Sequence, residues 1–307
     1  MDAELQVQLH APLPVKLLSA SRAPERGENG DIPRKPDAGP GHVRTHARNA
    51  KEIHTPRAHS AVAQGQLEVA KHARTQMTNP SKKRVLVLAP HNDDETLGCG
   101  ASIAKHVKNG DEVFIAILTS IGQDHPVMAS NKAEIRAETA AAMKVLGVPM
   151  ENVIFKDLPN VMLSDIPMYE LNAAVHDVIF QVRPNVMYIP FMNDLHKDHR
   201  ATVDAAMVAA RTVTETGRNI REIYMYETLS ETHWNMDHVE GGFLPNVFND
   251  VTGFLKLKSE AVRAYKSQLK FYPDVRSVEA IEALAVFRGA VMGMCEAEAF
   301  MLVRCLK

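Results

Sequence analysis

The chain has 307 residues, a hydrophobic share of 45% and a formal net charge of −2 at pH 7. A chain of this length and apolar content can bury a sizeable core, and its near-neutral charge gives no electrostatic reason to expect nucleic acid or a membrane surface as a partner. Its three cysteines are too few for a disulfide framework, which is typical of a protein in a reducing compartment.

The first 80 residues differ in composition from the rest of the chain. They contain no Phe, Tyr or Trp and are rich in Pro, Arg and His, so they have little apolar surface to offset the entropy of ordering. We expect residues 1–80 to be disordered or weakly helical and residues 84–307 to form one domain. Met77 is a candidate for the natural start, because it runs directly into the first predicted strand. The sequence shows neither a basic signal-peptide start nor an apolar run of about 18 residues, so we expect a cytoplasmic protein without a membrane span.

From residue 84 onward, strand and helix patterns alternate. The first strand is the continuous apolar run RVLVLA, and the helical pattern TLGCGASIAKHVKNG follows it. Four more strands are predicted, in chain order EVFIAILTS, NVIFKDL, NVMYIP and REIYMYE, with helical patterns between them. The tail from about residue 254 contains two further helical patterns. This βαβα order predicts an α/β fold, a three-layer, doubly wound and mostly parallel sheet of the Rossmann-like type.

Two clusters of ionisable side chains follow predicted strands. The first is PHNDDE (90–95), after RVLVLA, and the second is NDLHKDHR (193–200), after NVMYIP. Ligands of doubly wound sheets bind outside the carboxyl ends of the strands. Because parallel strands end at the same edge, we expect these two clusters to meet in space.

Together the clusters contain the residue types of a catalytic zinc site. Such a site takes three protein ligands and leaves a fourth position for water. His91 and Asp94 are three residues apart on one loop, and His199 can supply the third ligand. Asp93 would then be placed to take a proton from the activated water, and His196 to donate to a developing oxyanion.

Each cluster also has an ordinary interpretation. NDDE is a common turn and N-cap composition, so Asp93 or Asp94 could simply cap the following helix. A spacing of three between histidines often arises by chance. The joint placement of both clusters at strand ends favours the metal site. A dinucleotide site is disfavoured because LGCGAS has only two glycines and follows the acidic cluster.

The motifs APHNDDETLGCGA and HKDHRAT, each following a strand, resemble those of the PIG-L / LmbE family of zinc-dependent N-deacetylases. The resemblance covers roughly residues 84–307. It implies one Zn²⁺ per chain and hydrolysis of an N-acetyl group on an N-acetylglucosamine-type conjugate, with release of acetate and a free amine. Asn92 stands where the family's first motif usually has proline.

Carried over position by position, the resemblance implies that His91, Asp94 and His199 are the zinc ligands. It implies that Asp93 is the general base and that His196 stabilises the oxyanion and helps to protonate the leaving amine.

The resemblance also implies roles for residues around this set. Asp198 or Asp194 would orient His196. Arg136 would grip the substrate, although a place on a solvated helix face beside two glutamates is an equally good interpretation of this arginine.

Two other functions stay open from the sequence. One is an amidase that acts on a related sugar conjugate, and the other is a non-catalytic module that binds a sugar or nucleotide in the same crevice. A pure binding module would need neither Asp93 nor His196. We expect a small-molecule N-acetylated sugar conjugate as the partner, without nucleic acid or membrane. The resemblance also suggests a homo-oligomer, although the sequence identifies no interface.

Overall fold

The computed structural model describes residues 82–120 and 132–307. The expected disorder of residues 1–80 and the candidate start Met77 lie outside the described residues. Within those two ranges, no helix is long and apolar enough to cross a membrane.

Seven strands of the described chain form one sheet: β1 (Arg84–Ala89), β2 (Glu112–Ser120), β3 (Val153–Pro159), β4 (Val186–Pro190), β5 (Glu222–Tyr226), β6 (Val247–Asp250) and β7 (Ala297–Cys305). Their order across the sheet is β3-β2-β1-β4-β5-β7-β6. The first five strands are parallel, whereas β7 pairs antiparallel with both β5 and β6. The predicted α/β fold with a mostly parallel sheet is confirmed.

The described helices are α1 (Asp94–Lys108), α2 (Lys132–Leu146), α3 (Met168–Val182), α4 (Lys197–Ala209), α5 (Glu215–Asn219), α6 (Asp237–Glu240), α7 (Leu255–Ala264) and α8 (Val278–Val291). Short 3₁₀ turns occupy Met150–Asn152 and Thr232–Trp234. The two helices predicted in the C-terminal tail are present as α7 and α8, but the antiparallel strands β6, just before the tail, and β7, at its end, were not predicted.

Helices cover both faces of the sheet, and the alternation of β1 shows why its sequence is apolar throughout. Val85 and Val87 pack into one core cluster, which contains residues of α1, α2 and α7. Leu86 and Leu88 pack into the other, which contains residues of α3 and α4. Successive side chains of a strand point to opposite faces, so a strand covered on both sides needs apolar residues at every position.

The sheet register brings the two ionisable clusters to one edge. β1 and β4 are parallel neighbours, with Val85 opposite Val186. The chain therefore leaves Ala89 and Pro190 at the same, carboxyl edge of the sheet. The connections that follow these two residues carry both predicted motifs.

Candidate metal and catalytic site

The connection from β1 to α1 turns sharply at Asp93, whose φ is 105°. Its carbonyl oxygen accepts from Thr96 N at 2.9 Å and Leu97 N at 2.8 Å, which starts α1. Its own N–H donates to Glu95 Oε2 at 3.2 Å. Residues other than glycine rarely adopt a positive φ. Such a backbone conformation costs about 1–3 kcal/mol and is found most often at functional sites.

Asp94 lies at the start of α1 and joins the two histidines that the sequence predicted as its co-ligands. Its Oδ2 accepts from His91 N at 2.9 Å and lies 3.1 Å from His91 Nδ1. The same oxygen lies 3.2 Å from His199 Nε2, in the first turn of α4. One ligand atom from each of the three residues lies within 4.8 Å of the others. The two motifs thus meet as predicted.

The geometry of His199 fits a metal ligand. Its ring is fully buried, and Nδ1 lies 2.7 Å from Asp194 Oδ2. A proton on Nδ1 leaves a lone pair on Nε2, which forms no hydrogen bond within the described residues. An unpaired imidazole nitrogen beside a carboxylate matches the ligand types and spacing that zinc prefers.

The charges around His199 favour a cation at this position. Burial lowers the pKa of His199, but the carboxylates of Asp94 and Asp194 outweigh it and hold the pKa well above its usual value. Burial raises the pKa of Asp94, but His199 and His91 more than reverse that effect, so this carboxylate stays ionised. The site therefore stabilises positive charge, either as a proton on the imidazole or as a metal ion in its place.

The contacts of Asp198 and Asp194 differ from the prediction that one of them orients His196. Asp194 contacts His199 instead. The Asp198 carboxylate lies 3.2 Å from His91 Nε2 and accepts two backbone N–H groups of the segment after β3, at 2.7 and 2.9 Å. The reason is helical geometry: Asp198 lies in the first turn of α4, so its backbone N–H rather than its carboxylate faces the N-cap residue His196.

His196 lies at the N-cap of α4 and faces the cleft. Its Nδ1 accepts the Asp198 N–H at 3.1 Å, so the neutral ring carries its proton on Nε2. Burial, together with His91 and His199, lowers the pKa of His196 to about 4. The side chain is thus a neutral donor at physiological pH. With His91 and Asp198 it also forms a second set of groups spaced to hold a metal.

Asp93 is 4% exposed and lies beside a cation that the sequence interpretation missed. Its Oδ2 lies 3.5 Å from Nη1 of Arg276, in the connection between α7 and α8. Burial raises the pKa of Asp93 to about 8, and Arg276 opposes that rise. The local sequence YPDVRS shows no motif that would mark Arg276, because only folding brings this loop to Asp93.

A cleft of about 670 Å³ opens at this edge of the sheet. The described residues that line it are His91, Asn92, Asp93, Thr119, Ser120, Ile135, Asn160, Val161, His196, Glu231, Gln268 and Arg276. Asn92, in the place of the family's usual proline, donates from Nδ2 to Thr139 Oγ1 at 2.8 Å and so ties the loop to α2.

Arg136, predicted to contact substrate, is not among the described residues that line this cleft. Its Nη2 donates to both carboxylate oxygens of Asp157 at 2.7 and 2.8 Å, and its guanidinium lies 4.5 Å from the centre of the Phe155 ring. These contacts hold the side chain against the end of β3. A substrate contact by Arg136 therefore stays a prediction.

Known proteins resemble this chain in both sequence and fold. Residues 86–210 match the family model described as PIG-L: GlcNAc-PI de-N-acetylase. The chain is 28% identical over 193 residues to an uncharacterized deacetylase, YaiS, of Escherichia coli (strain K12), an alignment that covers 61% of this chain and 92% of that protein. It is 25% identical over 233 residues to the diacetylchitobiose deacetylase of Thermococcus kodakarensis, covering 72% and 83% of the two chains.

Among solved structures, the conserved protein TT1542 from Thermus thermophilus is similar, with a TM-score of 0.58 and 25% identity. The match covers 71% of this chain and 94% of that one. The family model itself spans less than the range 84–307 over which the motifs suggested a resemblance. Both predicted motifs fall inside the matched residues 86–210. The similarity to the PIG-L family is thus strongest over the segment that carries the candidate site residues.

Proposed function

We propose that this protein is a zinc-dependent hydrolase that removes the N-acetyl group from an N-acetylglucosamine-type amino-sugar conjugate. The observation that carries the proposal is the convergence of His91, Asp94 and His199 with Asp93 and His196 at one edge of the sheet. The PIG-L family match over residues 86–210 and relatives named as deacetylases support an amide-cleaving hydrolase.

His91, Asp94 and His199 would hold one zinc ion per chain. When bound, zinc supplies Lewis acidity for activating water and polarising an acetyl carbonyl. Asp194 and Asp198 contact the two histidines through the ring nitrogens at 2.7 and 3.2 Å and so fix the ring orientations.

Asp93 is the proposed general base. Its carboxylate faces the cleft one residue before a metal ligand, so it can reach the attacking water without replacing Asp94. Burial raises the pKa of Asp93 to about 8. A pKa close to neutral pH suits a group that must both accept and return a proton. Asp93 would take a proton from the water and pass it to the leaving nitrogen.

His196 is the proposed oxyanion donor. Since its Nδ1 accepts a backbone N–H, its Nε2–H is free to donate to the oxygen on which charge develops. One well-placed donor of this kind typically contributes about 3–4 kcal/mol to the transition state.

The cleft wall suits a hydroxyl-rich ligand. Ser120, Asn160, Glu231 and Gln268 offer hydrogen-bond donors and acceptors, with Ile135 as an apolar contact. This composition supports a small sugar conjugate as the substrate. A cytoplasmic location and a homo-oligomeric state stay predictions.

The direct test uses zinc-loaded protein and a panel of N-acetylated amino-sugar conjugates, with acetate and free amine both quantified. We expect release of the two products in equal amounts and loss of activity after chelation. Matched conjugates with longer acyl groups separate a deacetylase from a broader amidase. Binding of the conjugates without any product would support the non-catalytic module instead.

A further inference from the structure

The guanidinium of Arg276 reaches the cleft between two carboxylates. Nη1 lies 3.5 Å from Asp93 Oδ2, and Nη2 lies 3.8 Å from Glu231 Oε1. Nη1 also donates to Gln268 Oε1 at 3.1 Å. All four residues line the cleft, so the arginine connects side chains from three separate segments of its wall.

Asp93 occupies the N-cap position of α1, but the contact with Arg276 matters more for its side chain than that position does. Its side chain does not cap α1, so the helix start does not hold it. Within residues 82–120 and 132–307, Arg276 is the one lysine or arginine with a nitrogen within 4 Å of the Asp93 carboxylate. The backbone of Asp93 is set by its turn, whereas its carboxylate has Arg276 as its cationic neighbour.

The backbone of Arg276 is itself held in place. Its N–H donates to Asp274 Oδ1 at 2.8 Å, and its carbonyl oxygen accepts from Lys270 N at 3.4 Å. The next residue, Ser277, is fully buried and caps α8 by accepting from Ala280 N at 3.2 Å. A planar guanidinium on an anchored backbone is a good device for fixing a carboxylate.

Arg276 and Asp93 also lie between two cavities. Together with Gln268 they line both the cleft and a much smaller adjoining space, which Leu97 and Tyr265 also line. Shortening the Arg276 side chain would open a path between the two spaces. The carboxylate of Asp93 would then have room to turn away from the cleft.

We propose that Arg276 is a positioning residue for Asp93, which holds the carboxylate toward the metal-binding set without touching the reacting atoms. The kinetic consequences rest on the proposed deacetylase function. Misplacement of a reacting group by about 1 Å can cost about 100-fold in rate. Loss of Arg276 should therefore lower kcat by about that factor while substrate binding and zinc binding persist.

The test compares Arg276→Ala and Arg276→Lys with Arg263→Ala, which removes an exposed arginine of α7. We expect Arg276→Ala to lower kcat about 100-fold with KM and zinc affinity near the wild-type values. Lysine should restore part of the loss. Added guanidinium ions should raise kcat of Arg276→Ala but not that of Asp93→Asn, and Arg263→Ala should match the wild type.

Several results would overturn the proposal. Full kcat in Arg276→Ala would show that Asp93 needs no such support, and a raised KM with unchanged kcat would make Arg276 a substrate contact. A joint loss of kcat, zinc affinity and thermal stability without rescue by guanidinium would assign it a purely structural role.

A crystal structure of metal-free Arg276→Ala gives a readout that is independent of activity. We expect the Asp93 carboxylate to leave its wild-type position, and an unmoved carboxylate would contradict the proposal. If zinc-loaded wild-type protein released no acetate, the proposed function would fail, whereas a displaced Asp93 in this crystal structure would still support positioning by Arg276.

Discussion

Asp194 Oδ2 lies 2.7 Å from Nδ1 of His199, and both side chains are fully buried. Thr232 Oγ1 donates to the other oxygen of Asp194 at 2.6 Å, so the carboxylate is held from both sides. A buried carboxylate behind an imidazole fixes the ring and raises its basicity as a metal ligand. A small change in the His199–Asp194 pair should therefore act chiefly on the affinity of the proposed zinc site.

Asp194→Asn should weaken zinc binding by about 10–100-fold, because the amide keeps the shape but not the charge behind His199. Competition with a chromophoric chelator measures the change in affinity. Asp204→Asn, at an exposed position of α4, is the matched control and should bind zinc as the wild type does. An unchanged affinity in Asp194→Asn would contradict a role for the 2.7 Å contact in metal binding.

His196→Ala and His199→Ala should fail in different ways, although the two residues are three positions apart. His199→Ala should lose zinc, because it removes a ligand. His196→Ala should keep one zinc per chain but lose about 100–1000-fold in kcat, since it removes only the proposed oxyanion donor. Metal analysis of both purified variants, alongside kcat, distinguishes them. Loss of zinc in His196→Ala would instead favour the alternative metal set of His91, His196 and Asp198.

Glu227 forms a buried ion pair outside the metal site. Arg288 donates to its two oxygens at 2.9 and 2.6 Å, and His233 Nε2 lies 2.8 Å from Oε2. Burial would raise the pKa of Glu227, but His233 and Arg288 outweigh burial and lower it below 4.5. A lowered folded-state pKa contributes stability above the unfolded value, and this stability is lost as pH falls through the folded value.

Removal of the Glu227 charge in Glu227→Gln should therefore destabilise the protein at neutral pH, by up to about 3–5 kcal/mol, because Arg288 loses its buried partner. The gap between variant and wild type should narrow on acidification below pH 4.5, where the wild-type carboxylate becomes protonated. Urea unfolding over a pH series measures this gap. A difference that stays constant across the series would show that Glu227 carries no linked proton.

Gly98 allows α1 to approach β5 closely. A Cβ at this position would overlap the Tyr226 ring, and that ring is fixed by a 2.9 Å hydrogen bond from its hydroxyl to Leu88 O. Gly98→Ala should therefore destabilise by about 1–3 kcal/mol or more through overpacking.

Gly100→Ala is the matched comparison for Gly98→Ala. Its Cβ would meet Lys258 Cγ at 2.9 Å, a milder overlap than the one that a Cβ at Gly98 would make with three atoms of the Tyr226 ring. Thermal unfolding should rank the wild type above Gly100→Ala and Gly100→Ala above Gly98→Ala. Equal melting temperatures for the two variants would mean that the Tyr226 ring yields as readily as the lysine.

The strands β1 to β5 and the longer helices between them could be predicted from the sequence, because their signals are local, whereas the short helix α5 was not predicted. RVLVLA is apolar at every position since both faces of β1 are covered, and that pattern needs no knowledge of its neighbours. The strands β6 and β7 were not predicted. β6 has only four residues, and both depend on antiparallel pairing that joins Val247 to Phe300, a contact without a local signature.

The candidate metal ligands could also be predicted, because strand order alone places the residues after β1 and β4 at one edge. His91, Asp94 and His199 needed only that inference. Which carboxylate contacts which histidine depended on how the chain folds around the start of α4, where Asp194, before the helix, contacts His199 and Asp198, in its first turn, contacts His91. Arg276 could be found only in the folded chain, since a contact with Asp93 183 positions away has no sequence pattern. Local periodicity thus specified the strands and helices and placed both motifs directly after strands. Side-chain direction and loop packing depend on the whole fold, and they decided how the site is assembled.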